Sequence, residues 1–424
     1  MEIRSKRYES VGETLQSATL ENGLRICVIP KKGFSSFFAC FGTYYGSAMR
    51  SFLLSGERHD TPAGVAHYLE HKMFDMPEGD NALQSMTADG ADPNAFTSYD
   101  ETVYYFRCTE NFEKNLRTLL RFVTTPYFTP ETVAKEQGII AQEIRMYDDE
   151  PDMAVYNELM RLLYRSHPVR DDIAGTVESI SEISADTLYA CHRAFYVPGN
   201  MCLCVAGDVD AAAICAIAEE TLGGWGGETP QPLIAEEDGA PERLYTERAM
   251  SVSAPLFLLG AAFRPTQGDV LRERIVARLA LRLLCGVSSP FYARLYREGL
   301  INRSFAAGCD FPANTALLTA GGESRDPQRV YDELLAEVER IGAEGFGPGR
   351  FERARRASLG ARLRGFEDFD SMCLASLEAG HLGFSIFDAP AVLASVTEEE
   401  CRGFLTRVLR RDRTALSVVR PGRS

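Results

Sequence analysis

The sequence predicts two similar domains in tandem, each mixing β-strands with α-helices. Three observations carry this. A length of 424 residues exceeds what one hydrophobic core ordinarily fills. The order of strand and helix patterns in the first half recurs in the second. Between the halves lies Gly223-Gly-Trp-Gly-Gly-Glu-Thr-Pro-Gln-Pro232, a turn-rich stretch followed by acidic Glu236-Glu-Asp238. The expected boundaries are 1–222 for the first domain, 223–243 for the linker and 244–424 for the second.

The elements follow in order. Residues 18–30 read as a hairpin turning at Asn22-Gly23, with Leu24, Ile26 and Val28 on one face of the return strand. Residues 36–48 read as a long apolar strand. Thr61 to Phe74 reads as one helix: Thr61 suits the N-cap, Pro62 the first helical position, and Val65, Leu69 and Phe74 the core face. Asn81 to Asp89 suits a short helix. Asn94 to Phe106 is rich in β-branched and aromatic residues and reads as strand; its mixed polarity near the start places it at a sheet edge or beside a site. An amphipathic helix covers 111–125, and the next runs from Thr129-Pro130 to Tyr147. Helical patterns continue at 153–165 and 183–195, then a turn at 196–200, a buried strand Met201 to Gly207, and a helix at 210–222. In the second half strands fall at 244–263 and 303–322. Helices fall at 268–285, 290–298, 327–342, 348–365, 368–381 and 397–410. A last strand, Thr414 to Val419, takes the place that Met201 to Gly207 takes in the first half.

Composition bounds the function. Hydrophobic content of 45% and charged content of 25% are those of a globular protein. A formal net charge of −15 argues against nucleic acid and anionic membranes as partners, because phosphate binding needs clustered Lys and Arg. No run of about 18 apolar residues suggests a membrane span. The first ten residues show no apolar secretory core. The 11 Cys are an odd number without Cys-x-x-Cys and read as reduced apolar side chains; Cys202 and Cys204 alternate onto one strand face. These features together set the cytoplasm as the expected location.

The chemistry concentrates in one helix. His67 and His71 are i and i+4, one turn apart on one face, a spacing at which two neutral imidazoles can bind one tetrahedral zinc. Glu70 precedes the second His, giving His-x-x-Glu-His, the inverzincin order. Paired helical histidines are often packing or surface residues, but only 6 His occur in the chain. Glu136 and Glu143, seven residues apart, lie on one helical stripe, where a solvated acidic face is the usual alternative. The second half carries only His381 and no ligand constellation, so any metal chemistry belongs to the first half.

These residues resemble the pitrilysin/insulinase family of zinc peptidases, in its short two-domain form typified by mitochondrial processing peptidase and its bacterial relatives. The markers are Ala66-His-Tyr-Leu-Glu-His-Lys-Met-Phe74, Asn94-Ala-Phe-Thr97 with Thr102-Val-Tyr-Tyr-Phe106, Glu136 to Tyr147, His167-Pro168, and Phe195-Tyr-Val-Pro-Gly-Asn-Met201 running into Val205-Ala-Gly-Asp208. The middle of the chain is similar to a bacterial branch whose members are often encoded as pairs, one with the zinc motif and one without.

The resemblance implies an α+β fold, each domain a mostly antiparallel sheet packed with helices, the two together forming half of a clamshell. It implies one zinc ion held by His67, His71 and Glu143, with Glu70 as the catalytic carboxylate and Glu136 orienting a ligand. Asn94 and Ala95 would lie on an edge strand that pairs with an extended peptide. In the second domain the family carries an Arg and a Tyr that reach the site. Here the matching stretch is Leu295-Tyr-Arg-Glu-Gly-Leu-Ile-Asn302, so Arg297 fits while Asn302 stands where Tyr is expected. The implied activity is endoproteolysis of short or unfolded peptides, and the implied partner is a second copy or a homologous chain lacking the motif. Two alternatives stay open: a non-catalytic or substrate-holding subunit, and a leader-removing maturation protease.

Overall fold

The strand expected at Met201 to Gly207 lies inside a seven-stranded sheet and is buried along its whole length. The computed structural model of the chain describes residues 2–422 apart from 78, 80, 238, 239 and 267; two linker residues are thus outside the described set. In chain order the first half forms β1 (Arg4–Tyr8), β2 (Glu13–Thr19), β3 (Arg25–Pro30), β4 (Phe37–Thr43), β5 (Ser51–Leu54), β6 (Glu57–Asp60), α1 (Val65–Lys72), α2 (Ala82–Ala88), β7 (Ala91–Thr97), β8 (Thr102–Cys108), α3 (Phe112–Thr124), α4 (Pro130–Asp148), α5 (Pro151–Leu163), α6 (Val177–Ser181), α7 (Ala185–Phe195), β9 (Met201–Gly207) and α8 (Ala211–Leu222). The rest forms β10 (Gln231–Pro232), β11 (Tyr245–Met250), β12 (Leu256–Phe263), α9 (Val270–Cys285), α10 (Pro290–Arg297), β13 (Ala306–Asp310), β14 (Ala316–Glu323), α11 (Pro327–Glu344), α12 (Arg350–Gly365), α13 (Phe369–His381), α14 (Ala389–Ser395), α15 (Glu398–Val408) and β15 (Ala415–Pro421).

The fold is α+β, as expected. The chain divides into two compact units, one of Met1–Ile144, Asp172–Leu233 and Leu363–Asp388, the other of Arg145–Asp171, Ile234–Arg362 and Ala389–Ser424. The first unit's sheet has the order β1-β2-β3-β9-β4-β8-β7, antiparallel except for β3 beside β9. Strand alternation divides β9 between two cores. Met201, Leu203 and Val205 join the core that holds α1, α3, α7 and α8. Cys202, Cys204 and Ala206 join a second core under α13, with Cys373 and Leu377, which bears out the shared face of the two cysteines. The second unit's sheet has the order β11-β15-β12-β14-β13, parallel at β11–β15 and antiparallel elsewhere. Its strands β11, β15, β12, β14 and β13 repeat the sequence of pairings of β3, β9, β4, β8 and β7, so the expected likeness of the halves holds at the level of topology.

Neither unit is a continuous segment, unlike the stretches 1–222 and 244–424 that the sequence suggested. The face of the first sheet that β9 presents through its cysteines is covered by α13, from the second half. Tyr44 donates to Leu377 O at 2.8 Å and Arg25 to Gly380 O at 3.0 Å. A Cβ on Gly42 would sit 2.6 Å from a Leu377 methyl, so the helix presses onto bare strand there. In the second unit α5, from the first half, packs on β12 and β15 through Ala154 and Val155. An apolar sheet face needs a cover wherever the chain can supply one, and turn composition does not reveal which segment that is.

Three local expectations change. Asn94 to Phe106 is two strands, β7 and β8, joined by a turn in which Ser98 N donates to Glu101 O at 2.8 Å. The strand β1 and the helix α14 carry too little periodicity to be read from sequence. Val270–Arg297 is long and apolar enough to cross a membrane by length and composition. However, 61% of that window is buried, and α9 lays Leu271, Ile275, Leu279 and Leu283 into the unit's interior.

Candidate metal centre

The helix α1 starts three residues later than expected, at Val65 rather than Pro62. Thr61 is not its cap: the Thr61 N–H and hydroxyl both donate to Arg50 O, at 2.8 and 3.1 Å. Gly64 precedes the helix with φ 91°, in the left-handed region that glycine tolerates. A Cβ there would also meet Ala174 O at 2.4 Å. The short helix is seated by Val65, Tyr68 and Leu69, all buried, and the Tyr68 hydroxyl donates to Val133 O on α4. That contact sets the ligand-bearing faces of α1 and α4 toward each other.

The two histidine rings stand edge to face, centroids 4.6 Å apart. Glu143, two turns along α4 from Glu136, reaches both: Oε1 is 3.8 Å from His67 Nε2 and Oε2 is 3.5 Å from His71 Nε2. One ligand atom from each of the three residues lies within 4.8 Å of the others. Tetrahedral zinc with bonds near 2.0–2.1 Å holds neighbouring ligand atoms about 3.3 Å apart. The trio therefore fits zinc after small side-chain adjustment, and the nitrogen and carboxylate donors suit that ion. The same relation to α1 puts Glu136 Oε1 3.0 Å from His71 Nδ1, which fixes the ring and leaves Nε2 for the metal. His67 Nδ1 is buried without a hydrogen-bond partner among the described residues.

The electrostatics follow from burial. Desolvation, aided by the His71 charge and opposed by nearby carboxylates, pulls His67 down to about 4, so its ring is neutral at neutral pH and offers one nitrogen lone pair. Burial also pulls on His71, but the Glu136 hydrogen bond and the carboxylates of Glu70 and Glu143 outweigh it and raise its pKa. The Glu136 carboxyl is held low by the same hydrogen bond. Glu70 is 8% exposed, and burial raises its pKa against the hydrogen bond from Thr97.

Asn94 and Ala95 lie on β7, which among the described residues pairs only with β8 and forms the sheet edge. The Ala95 N–H is answered by Asn94 Oδ1 at 2.8 Å. Arg297 is the last residue of α10 in the second unit, and Tyr296 stacks on Tyr292 with centroids 5.8 Å apart. Asn302 is committed locally: its amide donates to Glu323 Oε2 at 2.6 Å and its Oδ1 accepts from Ser304 N at 2.8 Å. His167 is structural, its Nε2–H donating to Ala313 O at 3.0 Å. Sequence reasoning missed Lys72, 1% exposed and paired with Asp75, and the role of Thr97; the only signal for Thr97 was its place in the Asn94-Ala-Phe-Thr97 marker.

Comparisons with known proteins place the chain in a family. The model of the insulinase family, peptidase family M16, matches residues 47–177, and that of the peptidase M16 inactive domain matches residues 182–358. An uncharacterized zinc protease of Bacillus subtilis, YmfH, is 36% identical over 428 residues, 99% of this chain and 99% of that protein. An uncharacterized zinc protease of Mycobacterium leprae is 27% identical, covering 83% of this chain and 79% of its own. The crystal structure of a putative M16-like peptidase from Alicyclobacillus acidocaldarius superimposes with TM-score 0.92 at 33% identity, over 100% of this chain and 99% of that one. Pitrilysin, at 14% identity, shares the fold with TM-score 0.79 over 99% of this chain and 46% of its own. A His-x-x-Glu-His helix facing a glutamate on α4, in a chain with a full-length relative of this identity, makes the protein a member of the insulinase family of peptidases, M16.

Proposed function

We propose that this chain is a zinc-dependent endopeptidase that hydrolyses short or unfolded peptides. The observation that carries the proposal is the convergence of His67 Nε2, His71 Nε2 and the Glu143 carboxylate beside a buried Glu70 on the same helix. Three protein donors leave a fourth tetrahedral position open, the mark of a catalytic rather than a structural site. When bound, zinc supplies a Lewis acid that lowers the pKa of a water toward about 7 and polarises the scissile carbonyl. Glu70 accepts the proton of the attacking water and returns it to the leaving nitrogen; a pKa raised by burial suits it to both halves of that exchange. The outer edge of β7 at Asn94 and Ala95 receives the peptide as an added strand.

Arg297 belongs to the proposal as a substrate-side group. With the Asn302 side chain taken up by Glu323 and Ser304, further transition-state support would come from a second copy or a homologous chain lacking the motif, which would also complete an enclosed chamber. The proposed location is the cytoplasm, on composition alone. Purified protein should contain about one zinc per chain, cleave unrelated unfolded peptides, lose cleavage to a chelator and regain it with zinc. Zinc-loaded protein without cleavage, alone or with such a homologue, would leave it a substrate-holding subunit. Cleavage confined to one precursor would make it a leader-removing protease.

A further inference from the structure

We infer that Thr97 is a positioning residue that sets the working orientation of Glu70 and ties it to the strand that receives the peptide; this rests on the function proposed above. The Thr97 hydroxyl donates to Glu70 Oε2 at 2.6 Å. It also lies 3.3 Å from the Thr102 hydroxyl, which donates to Tyr45 O at 2.9 Å. Each hydroxyl has one hydrogen, so the Thr102 proton is committed to Tyr45 and the Thr97 proton to Glu70. Oε2 is thereby an acceptor of a fixed bond, and the proton drawn from water lands on Oε1, which has no hydrogen-bond partner among the described residues.

The support behind this contact is rigid. Thr97 pairs in register with Thr102 on β8, and Thr102 pairs with Thr43 on β4; Thr102 and Thr43 are fully buried. Glu70 is thus oriented by the interior of the sheet rather than by its own helix. Thr97 also closes β7, two residues beyond Ala95, so the strand offered to the peptide is the strand that holds the base. A peptide that seats on β7 is registered directly against the Glu70 carboxylate. A misplacement of about 1 Å in such a pairing can cost about 100-fold in rate.

Thr97→Val removes the hydroxyl and keeps the shape; Thr97→Ser keeps the hydroxyl. We expect Thr97→Val to lower kcat about 100-fold with KM within about threefold and zinc content unchanged. Thr97→Ser should stay within about fivefold of wild type, and Thr97→Ala, made in case the valine variant fails to fold, should behave as Val. In the crystal structure of Thr97→Val the Glu70 carboxylate should rotate away from its wild-type position. Wild-type kcat in Thr97→Val, a Ser variant as slow as Val, or an unmoved carboxylate would each overturn the inference. A zinc-loaded wild type that cleaves nothing would instead overturn the proposed function, while the carboxylate position would still judge Thr97.

Discussion

At the scale of single residues the centre separates into parts with distinct losses. Glu70→Gln leaves both histidines and Glu143 in place, so zinc content should match wild type while peptide cleavage falls about 10³-fold. Cleavage at the wild-type rate would remove Glu70 as the base. Glu143→Gln replaces an anionic donor with a neutral amide, and elemental analysis should find the zinc gone; full occupancy would move the third ligand elsewhere. Away from the site, His192 gives the fold an acid sensitivity. It is 5% exposed, its Nε2–H donates to Val123 O at 3.1 Å, and burial holds its pKa down to about 4. The unfolded chain binds this proton near pH 6.5 and the native one does not. The contribution is therefore whole above pH 6.5 and lost as the pH falls toward 4, amounting to about 3 kcal/mol at most. Urea unfolding at pH 7.5 and 4.5 should show a smaller pH effect for His192→Gln than for wild type. His67, Glu70 and His71 were legible because i to i+4 spacing is a local property of one helix. Glu143, separated from His71 by most of α2 to α4, could be assigned from sequence only through the family likeness.

At the scale of elements, boundaries were decided by contacts that the sequence does not display. A Thr-Pro pair is a sound helix start on local chemistry, yet α1 begins after Gly64 because the backbone there must pass close to Ala174 O. Gly64→Ala should destabilise the protein by at least about 2 kcal/mol, from the left-handed φ together with the clash. A melting temperature equal to wild type would show that the α1 start relaxes freely. The β7–β8 hairpin was read as one strand, since the polar turn at Ser98 to Glu101 lacks the Gly or Pro that usually announces a reversal. Its expected position at a sheet edge was nonetheless correct. Pro93, Asn94 and the mixed polarity of the run suit a strand that is paired on one side only.

At the scale of the whole molecule, the exchanged helices make each compact unit depend on both halves of the chain. A fragment ending at residue 243 would lack α13, leaving Phe38, Cys40, Cys204 and Ala206 without a cover, and would carry α5 without its sheet. Such a fragment should fail to give a cooperative thermal transition and should bind a hydrophobic dye; a sharply melting soluble fragment would show that the first sheet does not need α13. The topological likeness of the two sheets was visible in the order of strands and helices, but the exchange was not. Amphipathic patterning says that α5 and α13 each bury a face, and it leaves open against which sheet.

Residue order alone carried the local features of this protein: His67, Glu70 and His71 on one helical face as candidate ligands and base, the strand periodicities, the edge character of Asn94 and Ala95, and, by resemblance, the family. Packing supplied the contacts of Glu143 and Glu136 with those histidines, which spacing left open and only the family likeness had implied, and it supplied the Thr97–Glu70 bond and the covers that α13 and α5 give their sheets. The division has a physical cause. Helical and strand periodicity act over a few residues and leave their imprint in the order of side chains. Distances between residues 27 or 65 positions apart, as in Thr97–Glu70 and His71–Glu136, are set by how whole elements pack.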